Sequence, residues 1–173
     1  MFSEISNFWV SRSVKNRDGS YSIINAIGAN EFAPNVNDNA FTNGSAKTVL
    51  MFANDTGLEK NEQWNAVSEN LRILKFKHGI TKEHSQYKGE IIKQVDVNLL
   101  AFLLEIINNE NDIEKDLAYY ESKITSESPA MSNSLLAVLY ARLGELDKAF
   151  ELFKKAYLPN KRVHFGTLPE SAT

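Results

Sequence analysis

Two helical patterns separated by Gly144 place the strongest constraint on what this chain can fold into. Apolar side chains recur at the spacing of a helix face in residues 130–143 and again in residues 146–157. Glycine commonly follows the last turn of a helix, so the pattern predicts an antiparallel helix pair joined by a short loop. Such a pair must pack against other helices to bury its apolar faces.

Similar segments precede this pair along the chain. We predict a short strand at 21–27, after the turn signal Asn16-Arg17-Asp18-Gly19, and helices at 3–14, 38–54, 60–77, 94–107 and 111–124. The segment 94–107 is apolar nearly all round and is therefore expected to be buried on more than one side. Consecutive helix pairs with short connections are typical of α/α toroids and solenoids, so the predicted fold class is mainly α.

The composition is that of a globular domain without a nucleic-acid or membrane partner. The chain has 173 residues, of which 43% are hydrophobic and 24% charged, so it can bury a core of its own. The formal net charge is -3, and there is no basic excess of the kind that attracts nucleic acid or anionic lipid.

Several kinds of site and segment are excluded by what the sequence lacks. It contains no cysteine, which rules out disulfides, thiolate chemistry and cysteine-based zinc sites. The three histidines, His78, His84 and His164, lack the spacing of metal ligands, so no metal is expected. No motif implies any other cofactor. No signal peptide is recognisable and no run approaches the roughly 18 apolar residues of a membrane span. Localisation is therefore unknown, with the cytoplasm as the default expectation.

A single carboxylate, Glu31, lies in the Gly/Asn/Pro-rich loop 28–37, the Glu31 loop, between an apolar run and a helical segment. Packing does not require an acid there, although a surface loop acid is the simplest alternative. Phe32 is expected to form an apolar wall that raises the pKa of Glu31 toward the range of a general acid. Amides near it suit sugar hydroxyls but also form turns: Asn30, Asn35, Asn37 and Asn39.

Lys93 and Gln94 directly precede the apolar segment. At the start of a helix a cation is mildly unfavourable, which favours a functional reason for Lys93. A salt bridge from Lys93 to Glu90 or Asp96 is the alternative explanation.

Four segments in order resemble glycoside hydrolase family 65, which includes maltose, trehalose and kojibiose phosphorylases and related hydrolases. They are the Glu31 loop, Lys93-Gln94, Pro129-Ala130-Met131-Ser132, and Phe165 to Ser171. The resemblance implies that Glu31 is the general acid and Glu170 the general base. It also implies that substrate is bound by Lys93, Gln94, Arg12 and Asn30. For Arg12 an exposed helix arginine is the alternative, and for Glu170 a tail acid.

The third of these segments separates hydrolysis from phosphorolysis. Phosphorylases of the family are expected to hold inorganic phosphate with adjacent serines, where this chain has Pro129 and Ala130. Neither side chain has a hydroxyl, and proline also lacks a backbone N–H. The resemblance therefore implies inverting hydrolysis of an α-glucoside such as kojibiose or trehalose, with a disaccharide phosphorylase as the alternative.

The family's catalytic domain is an (α/α)6 barrel longer than this chain. Residues 1–173 are therefore expected to form the C-terminal part of that domain, a partial barrel truncated at both ends. The expected partners are a small carbohydrate substrate and the missing part of the catalytic domain, without which the chain is expected to be inactive.

Residues 136–159 support an alternative, non-enzymatic interpretation of the chain. Their small, aromatic and glycine positions match one tetratricopeptide-like unit, which would make the chain a helical-repeat binding module. Residues 94–124 do not repeat this spacing, and a stable stack needs three or more units.

Overall fold

The computed structural model describes residues 2–57, 61–162 and 166. The chain divides into two compact units, which are described separately. The first consists of Met1–Ala29 and Ala33–Lys88, and the second of Asn30–Phe32 and Gly89–Thr173. The described residues are mainly α-helical, with a single two-stranded sheet.

The first unit combines three helices with a small hairpin. In chain order its elements are α1 (Phe2–Arg12), β1 (Ser13–Lys15), β2 (Tyr21–Ile23), α2 (Ala40–Asp55) and α3 (Glu62–Asn70). The two strands pair antiparallel, with Val14 opposite Ser22. The predicted turn between them is confirmed, since Gly19 has a φ of 87°, which glycine adopts without strain.

The core of the first unit lies between α2, α3 and the hairpin. Its buried members are Ile23, Ala46, Leu50, Ala53, Trp64, Val67 and Leu71. The buried Trp64 indole donates a hydrogen bond to Asn7 Oδ1 at 2.9 Å, so its polar atom is satisfied inside the core. Each fully buried large apolar side chain contributes about 1.5–3 kcal/mol to folding.

The second unit contains α4 (Leu99–Phe102), α5 (Glu110–Glu121), α6 (Ala130–Arg142) and α7 (Leu146–Tyr157), followed by a 3-10 helix at Leu158–Asn160. The predicted helix pair around Gly144 is confirmed. Gly144 has a φ of 83°, and its N–H donates a hydrogen bond to the carbonyl of Ala141. This glycine conformation ends α6. The small residues Ala149 and Ala156 are buried, and such residues let α7 approach its neighbours closely.

A polar cluster ties α5, α6 and α7 together. The Tyr140 hydroxyl donates to Glu121 Oε2 at 2.5 Å, and Lys148 Nζ lies 2.7 Å from Glu121 Oε1. Burial and the hydrogen bond to Glu121 raise the pKa of Tyr140 far above its ordinary value. The Glu121 hydrogen bond also raises the pKa of Lys148.

The predicted helix at 60–77 is too long, because α3 ends at Asn70. Leu71 takes an extended conformation and forms a parallel bridge to Tyr21, while the Arg72 N–H bonds to the Tyr21 carbonyl at 3.0 Å. Further along, Lys75 pairs with Thr81 across a turn. Backbone partners outside the segment thus replace the i to i−4 bonds that its apolar spacing predicted.

The predicted helix at 94–107 is also wrong, since only Leu99–Phe102 are helical. Leu103 is exposed, whereas Leu100 and Ala101 are buried. The chain reverses at Glu105, which has a φ of 53°, and the N–H of Ile106 returns to the Leu100 carbonyl. Lys93 and Gln94 therefore lie before the helix rather than in its first turn, and the helix-dipole argument does not apply to them.

The remaining helices lie close to their predicted positions. Helix α1 ends at Arg12, two residues earlier than predicted, because residues 13–15 pair with β2 instead. Within the described ranges, no helix has the length and apolar character needed to cross a bilayer.

Replacing Asn61 by alanine should destabilise the chain by about 1 kcal/mol. The Asn61 side chain caps α3 by accepting hydrogen bonds from the N–H groups of Gln63 and Trp64. Urea unfolding followed by circular dichroism measures the change in the free energy of unfolding. The matched control is Asn65→Ala, an exposed position inside the same helix, where alanine should be neutral or slightly stabilising. An equal loss in both variants would contradict the capping role.

Tyr140→Phe should lower the free energy of unfolding by about 1.5–3 kcal/mol, since it removes a hydrogen bond to a charged group. Tyr157→Phe is the control, because the Tyr157 hydroxyl forms no hydrogen bond within the described part of the chain. The raised pKa values of Tyr140 and Lys148 stabilise the fold below pH ~10 and lose that contribution as pH rises further. The difference between wild type and Tyr140→Phe should therefore shrink above that pH; a constant difference would argue against the cluster.

Candidate functional site

The Glu31 loop is closed at its base by a short antiparallel bridge in the first unit. Ala26 and Val36 exchange two backbone hydrogen bonds of 2.9 Å. Next to them, the Asn25 N–H donates to Asn37 Oδ1 at 3.1 Å. These bonds bring residues ten positions apart side by side, so the segment between them must form a compact loop.

Three of the four nearby asparagines shape the chain in the first unit. Asn35 adopts a φ of 55°, a left-handed conformation that asparagine tolerates better than most residues. Asn37 accepts the bond from Asn25, and Asn39 caps α2 by accepting from Thr42 N. The turn-forming interpretation is therefore confirmed for these three.

The tip of the loop belongs to the second unit and is attached there by two buried amides. Asn30 Oδ1 accepts the Lys93 N–H at 2.9 Å and the Phe32 N–H at 3.2 Å. Gln94 Oε1 accepts the Glu31 N–H at 3.1 Å. Asn30 and Gln94 are only 3% and 6% exposed, and a buried hydrogen bond is expensive to lose. The backbone of Glu31 is thus fixed against residues 93 and 94.

The Glu31 carboxylate points outward and forms an ion pair with Lys93. Their side chains are 57% and 35% exposed, so both remain accessible to a ligand. Hydrogen bonds from Lys93 and Gln94, together with the positive charge of Lys93, lower the pKa of Glu31, while burial acts weakly in the opposite direction.

This electrostatic environment corrects one expectation. Phe32 was expected to desolvate Glu31 and raise its pKa, but Phe32 is 54% exposed and does not form an apolar wall. The pKa of Glu31 moves downward, and its largest cause is the hydrogen bond from Lys93. The sequence offers Glu90 or Asp96 as a salt-bridge partner for Lys93, whereas the partner in the structure is Glu31.

Neighbouring backbone holds Lys93 and Gln94 in place from both sides. Ile92 forms a parallel bridge with Ile124, in which the Ile92 N–H bonds to Lys123 O and its carbonyl accepts Thr125 N–H, both at 2.9 Å. On the other side, the Val95 N–H donates to Ser132 Oγ at 3.4 Å. The segment is not helical, because its backbone groups bond to residues after α5 and in α6.

Pro129 is the residue that precedes the first turn of α6, with φ −64° and ψ 156°. The hydroxyls beside it are engaged internally, since Ser128 Oγ donates to Ser132 Oγ at 2.8 Å and Ser132 is fully buried. Neither Pro129 nor Ala130 contributes a hydroxyl at this position, as the sequence indicated.

Two of the predicted site residues are not brought to this cluster by a described contact. Arg12 belongs to the first unit, where its guanidinium donates to the Ile24 carbonyl at 3.0 Å. Glu170 lies outside the described residues.

Tyr120 is fully buried and packs edge to face on Tyr119, as expected of packing residues. Across residues 2–57 and 61–162, no cluster of carboxylates and histidines could hold a metal ion.

The family can be decided by comparison with known proteins. A family model described as "Glycosyl hydrolase family 65 central catalytic domain" matches residues 1–86 and 76–167. The chain belongs to glycosyl hydrolase family 65. This family-65 chain is 42% identical to a kojibiose hydrolase of Mucilaginibacter mallensis, over 99% of the chain and 26% of that protein. It is 32% identical to a periplasmic or secreted acid trehalase of Candida glabrata, over 89% of the chain and 13% of that protein.

The solved structures support the same fold. The chain matches the "Putative kojibiose phosphorylase from human microbiome" with a TM-score of 0.76 and 21% identity, over 91% of the chain and 28% of that protein. This likeness confirms the expected fold class, a helical-toroid segment. The chain spans about a quarter of the length of the curated kojibiose hydrolase it matches. Because the family 65 model matches nearly the whole chain, family membership takes the place of the alternative interpretation as a helical-repeat binding module.

Gln94→Ala should loosen the loop tip. The substitution removes the acceptor of the Glu31 N–H, a bond worth about 1 kcal/mol, so hydrogen exchange at the Glu31 amide should accelerate roughly fivefold. Exchange measured by NMR checks this. The control Gln63→Ala lies on the exposed surface of α3 and should leave the Glu31 amide unchanged; acceleration in neither variant would show that Gln94 does not hold the tip.

Proposed function

We propose that this chain contributes the general acid, Glu31, to an α-glucoside hydrolase that cleaves a disaccharide such as kojibiose or trehalose. The observation that carries the proposal is the placement of Glu31: its backbone is fixed by two buried amides while its carboxylate stays exposed. A proton donor needs this combination of a fixed position and access to the leaving oxygen. The relatives named as kojibiose hydrolase and acid trehalase support the substrate class.

The proposed reaction inverts the anomeric centre. Glu31 gives its proton to the departing glycosidic oxygen, and Glu170 takes a proton from the water that attacks the anomeric carbon from the opposite face. Inverting glycosidases separate their two carboxyl groups by about 6.5–9.5 Å to leave room for that water. No metal or other cofactor takes part in this scheme.

Lys93, Gln94, Asn30 and Arg12 are proposed to bind substrate. Lys93 is the best supported of the four, because its ammonium is partly exposed beside the acid. The oxygens of Asn30 and Gln94 hold backbone N–H groups, and the Gln94 amide also bonds to the Glu31 carboxylate, so both side chains lie directly beside the acid. For Arg12, the bond to Ile24 leaves other guanidinium donors for a ligand.

Hydrolysis is favoured over phosphorolysis by the start of α6. Pro129 has neither a hydroxyl nor a backbone N–H, and the hydroxyls of Ser128 and Ser132 bond to each other. A phosphate ion at this position would therefore lack the donors that adjacent serines provide. Hydrolysis needs no phosphate-binding site; it needs only a base that activates the attacking water.

We also propose that the chain works as one part of a larger (α/α)6 catalytic domain. It covers 26% of the kojibiose hydrolase and 13% of the acid trehalase that it matches, and α7 exposes an apolar face made of Leu146, Phe150 and Phe153. Exposed apolar patches commonly mark a surface that another protein segment covers. The proposed partner is the remainder of a family-65 catalytic domain.

A chimera tests the activity. The matching segment of the Mucilaginibacter mallensis kojibiose hydrolase is replaced by this chain, and glucose release from kojibiose is measured. The chimera should be active, and Glu31→Gln should lower its kcat about 100- to 10,000-fold with little change in KM. Glu114→Gln, an exposed position on α5, should leave kcat unchanged.

The products separate the two reactions of the family. Free glucose in phosphate buffer supports hydrolysis, whereas glucose 1-phosphate would establish the phosphorylase alternative. A chimera with the circular dichroism spectrum of the parent enzyme but no turnover would contradict the proposed function, and so would full activity of the Glu31→Gln variant.

A further inference from the structure

The ion pair between Glu31 and Lys93 conflicts with the task proposed for Glu31. A general acid must carry a proton when the substrate arrives. Lys93 stabilises the carboxylate instead, through a hydrogen bond and through its positive charge. The unliganded site therefore holds Glu31 in the form that cannot donate a proton, and something must change before catalysis.

The contacts around the pair show which part of the site can change. The backbone of residues 30–32 is held by Asn30 and Gln94, both buried. The side chains of Glu31 and Lys93 are partly exposed and form an ion pair through their charged ends. They can separate by rotation about their own side-chain torsions, while the loop tip and residues 93–94 keep their positions.

We propose that Lys93 is a substrate-operated latch on Glu31. This inference rests on the proposed function. A hydroxyl of the bound glucosyl unit accepts a hydrogen bond from the Lys93 ammonium and replaces the Glu31 carboxylate as its partner. Glu31 then takes up one proton from solvent more readily than when it is paired with Lys93, forming its carboxyl O–H bond and becoming the acid, while Lys93 remains an ammonium. Lys93 is thus a positioning residue that couples the filling of the subsite to the protonation of the acid.

The electrostatics give the coupling its sign. The influences that lower the pKa of Glu31 come from Lys93 and Gln94, and the hydrogen bond from Lys93 is the largest. Withdrawing Lys93 therefore moves the pKa of Glu31 upward. By linkage, sugar binding takes up a proton, and sugar affinity rises as the pH falls through the pKa of the liganded acid. Without Lys93 this linkage disappears.

The test is an NMR titration of the chain with carbon-13 in its glutamate side chains, with D-glucose as the probe. In the unliganded wild type, the Glu31 carboxyl should titrate below the ordinary glutamate range. Saturating glucose should move its midpoint upward, whereas an equal concentration of glycerol should not. A glucose-independent midpoint would overturn the latch, whether the amides near residues 93–94 respond to glucose or not. This arm requires no substitution.

Variants identify the group responsible. Lys93→Met should raise the unliganded Glu31 midpoint and abolish its response to glucose. Lys93→Arg should restore a lowered midpoint, because it restores a cation. Lys115→Met, an exposed position on α5, should behave as wild type. An unchanged midpoint in a folded Lys93→Met chain would overturn the proposal.

Failure of the latch can be told from failure of the proposed function. The chimera's release of glucose from kojibiose reports the function without reference to the titration. An active chimera combined with a glucose-independent Glu31 midpoint would remove the latch and leave the hydrolase in place. An inactive chimera combined with a glucose-dependent midpoint would leave the latch as a binding device and remove the proposed reaction.

Discussion

Two buried amides support the arrangement of the candidate site. Asn30 and Gln94 use their side-chain oxygens to hold backbone N–H groups of residues 93, 32 and 31. Because the two amide side chains are buried, breaking one of these bonds would leave a buried amide oxygen unsatisfied. The position of the loop tip thus depends on the amides and not on the ion pair, so the carboxylate of Glu31 can exchange partners while its backbone stays fixed.

The irregular backbone around residues 92–98 has a direct consequence for chemistry. A helix starting at residue 94 would have used the N–H groups of this segment for its own turns. Instead Ile92 bonds to residues 123 and 125, and Val95 bonds to Ser132. This irregular backbone presents the Lys93 side chain and the Lys93 backbone N–H to the loop tip together, which gives Glu31 a cation and Asn30 a donor from one residue.

Predictions from the sequence succeeded where the cause was local. Asn35 takes the left-handed backbone conformation of a turn, and Gly144 ends α6 through its own backbone conformation; both features depend only on nearby residues. Glu31, Lys93 and Gln94 could be selected as candidates from their types and their order. Their pairing could not, since Glu31 and Lys93 are 62 positions apart, and the expected effect of Phe32 failed because that ring is exposed.

The sequence by itself determined the mainly helical class, the helix pair around Gly144 and membership of glycosyl hydrolase family 65, because helix periodicity, caps and motif order are properties of neighbouring residues. Only the tertiary structure decided where α3 ends, where α4 begins and which cation pairs with Glu31. All three depend on partners distant along the chain: backbone bonds that compete with helical hydrogen bonds, and an ammonium that lowers the pKa of an acid.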